Sequence, residues 1–130
     1  MQNEEFLSDY DPKHAEQIAR RVESERKKLT ELIADVDAKK KKAAAPLVKN
    51  AAFMRVKLDE LMQTLMSQTP IIPYDNGGGQ KGIREHPGFT AYNKLFNSFS
   101  KCIKQLCDLL PSTAGAADEL LAYLDETRQS

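Results

Sequence analysis

The chain of 130 residues has the length of a single domain and can bury one modest core. Apolar residues make up 41% of it and charged residues 29%, a globular balance that excludes disorder throughout. Nineteen basic residues cancel nineteen acidic ones, so the net charge alone predicts no polyanionic partner. No apolar run has the length of a membrane span and the acidic N-terminus has no signal-peptide core, so we predict a cytoplasmic protein without a membrane partner.

The first twelve residues show no hydrophobic period and predict a flexible acidic arm. Asp11-Pro12 then predicts the start of a helix, because Asp can accept free backbone N–H groups and Pro has no donor to leave unpaired. Along this first helix the apolar residues recur at spacings of 4, 7, 3 and 4, which predicts packing along one side: Ile18, Val22, Leu29, Leu32 and Val36.

Asp37 predicts the cap of a second helix, so a tight turn would join helices 1 and 2 into a helical hairpin. Pro46 leaves two starts open: the helix begins near residue 38 and is kinked at the proline, or it begins at Ala45. Beyond the proline lies the most regular apolar pattern of the chain, with spacings of 4, 3, 4, 3 and 4: Leu47, Ala51, Met54, Leu58, Leu61 and Leu65.

Residues 69–86 contain two of the six prolines and four of the six glycines, and they predict an irregular loop. A short hairpin is the alternative, since Ile71 to Tyr74 and Ile83-Arg84 flank a turn signal, although the prolines would confine it to an edge. A phosphate-binding loop is disfavoured, because the segment lacks the GxxxxGK[ST] motif and follows no buried strand.

His86-Pro87 predicts the start of a third helix, which Pro111 ends. Its apolar residues again recur at spacings of 4, 3, 4, 3 and 4: Tyr92, Phe96, Phe99, Ile103, Leu106 and Leu110. A last short helix, over about 116–127, carries leucines beneath an acidic face. The predicted fold is therefore all-α: a helical hairpin, a third long helix and a short C-terminal helix, with the irregular loop between the second and third helices.

The predicted organisation has three parts: a flexible acidic arm (1–12), a helical core domain (13–111), and a short acidic C-terminal helix with its tail (112–130). Cys102 and Cys107 lie five apart in the third helix, where they would point in different directions, so we interpret them as reduced core residues. A metal site would need two more ligands, and neither histidine has a ligand-type spacing to the cysteines. We predict no metal and no cofactor.

Charge is segregated along the chain, with both ends acidic and a basic middle. Between Arg20 and Lys57 twelve bases face five acids, and these bases are candidates for DNA binding: Arg20, Arg21, Arg26, Lys27, Lys28, Lys39, Lys40, Lys41, Lys42, Lys49, Arg55 and Lys57. They could neutralise DNA phosphates, or form a solvated helix face, or contact another subunit, and the sequence leaves these open. No recognition helix of the helix-turn-helix type is evident.

No catalytic constellation can be identified, because neither histidine has a nucleophile or a paired carboxylate at an intelligible spacing, so we predict no enzymatic activity. A small enzyme that uses the Gly-rich loop remains an alternative class. The apolar stripes could be the core of a monomer, but we favour a homo-oligomer in which copies cover one another. The candidate core or oligomerisation residues are Leu29, Leu32, Met54, Leu58, Leu61, Leu65, Tyr92, Phe96, Phe99 and Ile103.

Three motifs stand in a distinctive order within residues 25–111: LVKNAAFM followed by LDEL, HP…YN at the start of the third helix, and QL…LLP at its end. In this order the chain resembles the short terminase small subunits of tailed phages and prophages. The resemblance implies a non-catalytic subunit that forms a homo-oligomer, often a ring, in the host cytoplasm. It also implies that this subunit binds double-stranded viral DNA and presents it to the large terminase subunit, the ATPase and nuclease, for genome packaging.

Many members of that family carry an N-terminal helix-turn-helix domain, whereas residues 1–37 here predict one amphipathic helix. Under this resemblance, the acidic C-terminal helix is the candidate for docking the large subunit, through Asp118, Glu119, Leu120, Leu121 and Leu124. The alternative function is that of a phage-encoded helical adaptor or inhibitor, which acts through protein–protein binding alone.

Overall fold

The computed structural model describes residues 11–75, 77–111 and 115–129. Within them the order is α1 (Pro12–Leu32), α2 (Ala38–Leu65), β1 (Ile71–Asp75), β2 (Lys81–Glu85), α3 (Pro87–Leu109) and α4 (Ala116–Gln129). The four predicted helices are confirmed, and a small two-stranded sheet adds to them. The predicted acidic arm lies outside the described residues except for its last two, which begin α1.

The helix starts follow from side chains that accept the free N–H groups of a first turn. The carboxylate of Asp11 accepts from the amide of Lys13 at 3.0 Å, and that of Asp37 accepts from the amide of Lys39 at 3.2 Å. At the third helix His86 Nδ1 accepts from the amide of Gly88 at 2.9 Å. All three predicted starts are confirmed.

Pro46 lies inside α2, which runs for 28 residues from Ala38. The first of the two predicted starts is therefore the one found. Pro46 itself is exposed and cannot donate the backbone bond of a helix interior. Ala44 and Val48, on either side of it, are buried in the core, and this packing holds the helix together across the proline.

An ordered hairpin replaces the irregular loop predicted between the second and third helices. β1 and β2 are antiparallel, with Ile71 opposite Glu85 and Pro73 opposite Ile83. At the turn the Asp75 carboxylate accepts from the amide of Gly77 at 2.9 Å, and the φ angle of Gly77 is 81°, which glycine adopts without strain. The hairpin alternative is thus confirmed, and the Gly-rich segment serves as its turn.

The hydrophobic core lies between α2 and its two long neighbours. α2 packs against both α1 and α3, while α4 lies mainly on α3 and also touches α1 and α2. The largest fully buried side chains come from all four helices: Phe99, Leu29, Leu58, Ile103, Leu106 and Leu120. The C-terminal helix therefore shares one core with the predicted core domain.

The ten candidate oligomerisation residues divide into two groups. Five are buried inside the chain: Leu29, Leu58, Leu65, Phe99 and Ile103. The other five are half-buried: Leu32, Met54, Tyr92 and Phe96, which pack against the same core, and Leu61. The apolar stripes thus form the core of one chain to a large extent.

The two cysteines are free, as predicted. Cys102 is buried and its thiol donates to the carbonyl of Leu47 at 3.1 Å, while Cys107 is half-buried beside α4. Burial raises the pKa of the Cys102 thiol. Both cysteines therefore serve as packing residues.

Candidate nucleic-acid interface

The turn between α1 and α2 places the start of α2 at one end of the molecule. Ile33 and Val36 are buried beneath this turn, and the amide of Val36 donates to the carbonyl of Ile33 at 3.1 Å. Asp37 then caps the new helix. A packed and hydrogen-bonded turn of this kind gives the residues that follow it a fixed position.

Those residues are the tip lysines, defined as Lys39, Lys40, Lys41 and Lys42. All four are exposed, and within the described residues none lies within ion-pair distance of a carboxylate. Successive helical residues are rotated by about 100°, so the four side chains fan around the start of α2.

The tip lysines also sit at the positive end of the α2 dipole. Its first turn contains no acidic residue. A cation at this position costs about 0.3–1 kcal/mol, the reverse of the gain that an anion obtains there. Four lysines at this end of the helical hairpin outnumber the two carboxylates of the turn, Asp35 and Asp37, so the end carries a net positive charge.

A groove of about 310 Å³ lies beside the tip, between the end of α1 and the start of α2. Its walls are mainly small or apolar, and its two cationic side chains come one from each helix. The lining residues are Arg26, Thr30, Ile33, Ala34, Lys41, Ala45 and Val48. The groove adjoins the tip through Lys41, while its other cation, Arg26, is paired with Glu23.

The bases nearer the middle of the hairpin, by contrast, lie beside carboxylates of the same chain. These ion pairs are Arg20 with Glu16 (3.8 Å), Arg21 with Asp59 (3.2 Å), Arg26 with Glu23, Lys28 with Glu126 (3.9 Å) and Lys57 with Glu60 (2.8 Å). The hydrogen bond from Arg26 lowers the pKa of Glu23. Because a carboxylate lies beside each of them, these five bases add less to a DNA-binding potential than unpaired bases do.

The side chain of Arg55 is engaged inside the chain and does not face a DNA ligand. Its side chain is only 11% exposed, and its guanidinium donates to the carbonyl of Tyr123 at 3.3 Å and to the hydroxyl of Thr127. The guanidinium also lies over the Tyr123 ring, 5.2 Å from its centre. Arg55 therefore attaches α4 to α2.

Of the twelve candidates, Lys27 and Lys49 join the tip lysines as exposed bases without an ion-pair partner among the described residues.

Tyr123 and Thr127 are buried residues of α4 with polar groups that the sequence patterns missed. Tyr123 is 2% exposed and its hydroxyl donates to Glu25 of α1 at 2.9 Å. Burial and the neighbouring Glu25 carboxylate both raise the pKa of Tyr123. Tyr123 follows Leu120 by three residues and therefore lies on the same helical face. This spacing could have predicted the burial of Tyr123.

The candidate docking face on α4 is smaller than predicted. Leu120 and Leu124 are buried in the core, at 0% and 6% exposure. Asp118 and Glu119 are exposed, as is 43% of Leu121. A partner that approached α4 would therefore meet these last three residues.

Comparison with known proteins gives no match, whether with family models, with curated proteins or with solved structures. Within residues 11–75, 77–111 and 115–129, His, Cys, Asp and Glu side chains form no group of three that could hold a metal ion. No helix in this part of the chain combines the length and apolarity that a membrane crossing requires.

Proposed function

We propose that this chain is a non-catalytic DNA-binding subunit of the terminase small-subunit kind, which self-associates and presents viral DNA to a large terminase subunit. The observation that supports this best is the contrast within the basic middle of the chain. The tip lysines have no carboxylate partner among the described residues, whereas six of the eight other candidate bases are ion-paired, all except Lys27 and Lys49.

The chemistry of the tip suits the DNA backbone better than the base edges. Lysine is a point charge on a flexible stem, which matches a phosphate but lacks the planar fork with which arginine recognises guanine. Contacts of this kind fix a protein on the duplex and carry no sequence information. We therefore expect binding that depends weakly on DNA sequence.

A salt series tests this proposal. Each phosphate that a lysine neutralises releases a counterion, so the logarithm of the binding constant should fall by about 0.9 per contact for each unit of log salt concentration. Fluorescence anisotropy with a labelled duplex at several salt concentrations measures this slope. Absence of binding at low salt, or an affinity that ignores ionic strength, would remove the DNA-binding part of the proposal.

The second candidate function is a helical adaptor or inhibitor. The exposed face formed by Asp118, Glu119 and Leu121 favours it, because an acidic rim around one apolar side chain suits a protein partner. Under the terminase proposal the same face docks the large subunit. A chain that fails to bind DNA at low salt yet retains a protein partner through α4 would support the adaptor instead.

A further inference from the structure

The hairpin of β1 and β2 contacts mainly itself. Its two strands pair with each other along five residues, and neither strand forms an extensive contact with a helix. Of its ten residues only Ile72 is even half-buried, while Ile71 is 55% and Ile83 74% exposed. A two-stranded sheet alone is marginally stable in water, and it gains independent stability from a third strand or from a packed face.

The pairing divides the hairpin into two faces. Ile71, Pro73 and Ile83 share one face, since opposed residues point to the same side of a sheet. On the other face Tyr74 lies opposite Gly82, and its ring would be in ordinary contact, at 3.9 Å, with a Cβ placed on that glycine. The first face thus carries both exposed isoleucines around Pro73, together with the charged residues Asp75, Lys81 and Glu85.

The open edge of β1 is poorly suited to pair with another strand. The amide of His86 donates to the carbonyl of Pro70 at 2.7 Å, and hydrogen-bonded positions alternate along an antiparallel ladder. Pro73 and Ile83, three positions further along this ladder, therefore turn their backbone groups away from each other. At the centre of its open edge β1 then has proline, which has no N–H to donate.

The open edge of β2 has no such defect. By the same alternation Lys81, Ile83 and Glu85 direct their N–H and C=O groups outward from the hairpin. All five residues of β2 are exposed. β2 is therefore the strand with a complete set of donors and acceptors for a neighbour.

The sequence of β2, KGIRE, is complementary to itself when two copies run antiparallel. With Ile83 opposite Ile83 of a second copy, Lys81 of each strand lies opposite Glu85 of the other. Neither Lys81 nor Glu85 has an ion-pair partner within the described part of its own chain. A register centred on Arg84 would instead oppose two arginines, so charge selects the register with full overlap.

We propose that β2 pairs with β2 of a second copy of this chain, joining the two hairpins into a four-stranded antiparallel sheet across a twofold axis. The pairing supplies the additional strands that the isolated hairpin lacks, and it makes the apolar stripe of Ile71, Pro73 and Ile83 continuous between copies. Such a contact is isologous, so it joins copies in pairs. It rests on the proposed self-association, but it requires no DNA.

Charge reversal at either end of β2 tests the pairing. Lys81→Glu or Glu85→Lys alone places like charges opposite each other at both symmetric positions, and we expect the dimer Kd to rise about tenfold or more. Sedimentation equilibrium of each variant and of the native chain measures this. A native chain that remains a monomer, or single variants that associate like the native chain, would overturn the proposal.

Mixing the two variants provides the control for a damaged hairpin. When K81E and E85K are combined in equal amounts, each strand meets the opposite charge on the other, so a heterodimer should form with nearly native affinity. A hairpin that the substitution had merely unfolded would gain nothing from the mixture. Failure of the mixture to restore association excludes this register.

DNA binding separates this proposal from the preceding one. K81E and E85K leave the tip lysines intact, so at low salt each chain should still bind DNA, and circular dichroism should show native helix content. If the chain dimerises through β2 but does not bind DNA, the result contradicts the proposed function and not this inference. A chain that binds DNA without pairing through β2 contradicts this inference alone.

Discussion

At the scale of single residues, the polar contacts around Tyr123 are the part of the core that a substitution can test most cleanly. Tyr123 touches three helices besides its own through one ring and one hydroxyl: it donates to Glu25, lies under Arg55, and packs 6.0 Å from the ring centre of Phe99. A buried hydroxyl that is hydrogen-bonded stabilises the fold, whereas the partner that it leaves behind is costly to bury alone.

Tyr123→Phe should lower the free energy of unfolding by about 0.5–1.5 kcal/mol, because it removes the hydrogen bond to Glu25 and keeps the ring. Urea denaturation followed by circular dichroism measures the change. Tyr74→Phe is the matched control, since Tyr74 is exposed in the hairpin and no core contact depends on its hydroxyl. Equal stability of Y123F and Y74F would contradict the role given to the Tyr123 hydroxyl.

Glu60 connects stability to pH. Burial alone would raise its pKa, but the hydrogen bonds and charges of Lys57 and His14 outweigh burial and lower the pKa below 4.5. The folded chain thus binds this proton less readily than the unfolded chain does. Its contribution to stability is therefore complete above pH 4.5 and is lost as the pH falls through the lowered value.

Glu60→Gln should accordingly reduce the loss of stability as the pH falls below about 4.5, because its amide has no proton to bind in this range. Urea melts at a series of pH values measure the slope. Glu31→Gln, at an exposed position without an ion-pair partner among the described residues, serves as the control. A steep acid slope that E60Q leaves unchanged would assign the pH dependence to other groups.

At the scale of elements, the four helices could be predicted because their signals are local. Asp11, Asp37 and His86 cap helices a few residues away, and the apolar spacing follows directly from the helical period. Local signals of this kind could not predict whether residues 69–86 form a hairpin or an irregular loop. Pro70 before β1 and Pro73 within it argued against a strand, and only the pairing with β2 shows that Pro73 occupies a position whose missing donor faces outward.

Site residues were harder to predict than elements, because the sequence does not show which charges meet across helices. Arg21 and Asp59 are 38 positions apart and form an ion pair at 3.2 Å. Arg55 reaches Thr127, 72 positions away. The tip lysines could be identified as exposed bases from the sequence, but the division between paired and unpaired bases required the packing of α1 and α4 on α2.

Pro46 offers a prediction about a whole element. Proline within a helix costs about 3 kcal/mol relative to alanine, and here only tertiary packing offsets this. Pro46→Ala should therefore raise the unfolding free energy by about 1–3 kcal/mol, measured by thermal or urea denaturation. The adjacent exposed position supplies the opposite control, since Ala45→Gly should lower it by about 1 kcal/mol. No gain in P46A would contradict the claim that the proline costs stability at this position.

At the scale of the whole molecule, three surfaces serve different proposed contacts. The tip lysines lie at the end of the helical hairpin, the open edge of β2 lies on the segment that joins the opposite end of α2 to α3, and the face of Asp118, Glu119 and Leu121 lies on α4. Because these surfaces share no residue, each can be altered without removing the others. This separation allows DNA binding, self-association and partner docking to be measured independently.

The most direct measurement compares the salt dependence of DNA binding in two variants. The tip variant replaces Lys39, Lys40, Lys41 and Lys42 with alanine. The paired-base control likewise replaces Arg20, Arg21, Lys28 and Lys57 with alanine. With DNA phosphates at the tip, the first should reduce the slope of log affinity against log salt by about 3 to 4, and the second by less than about 1. Equal slopes in the tip variant and the native chain would contradict the claim that the tip lysines bind DNA.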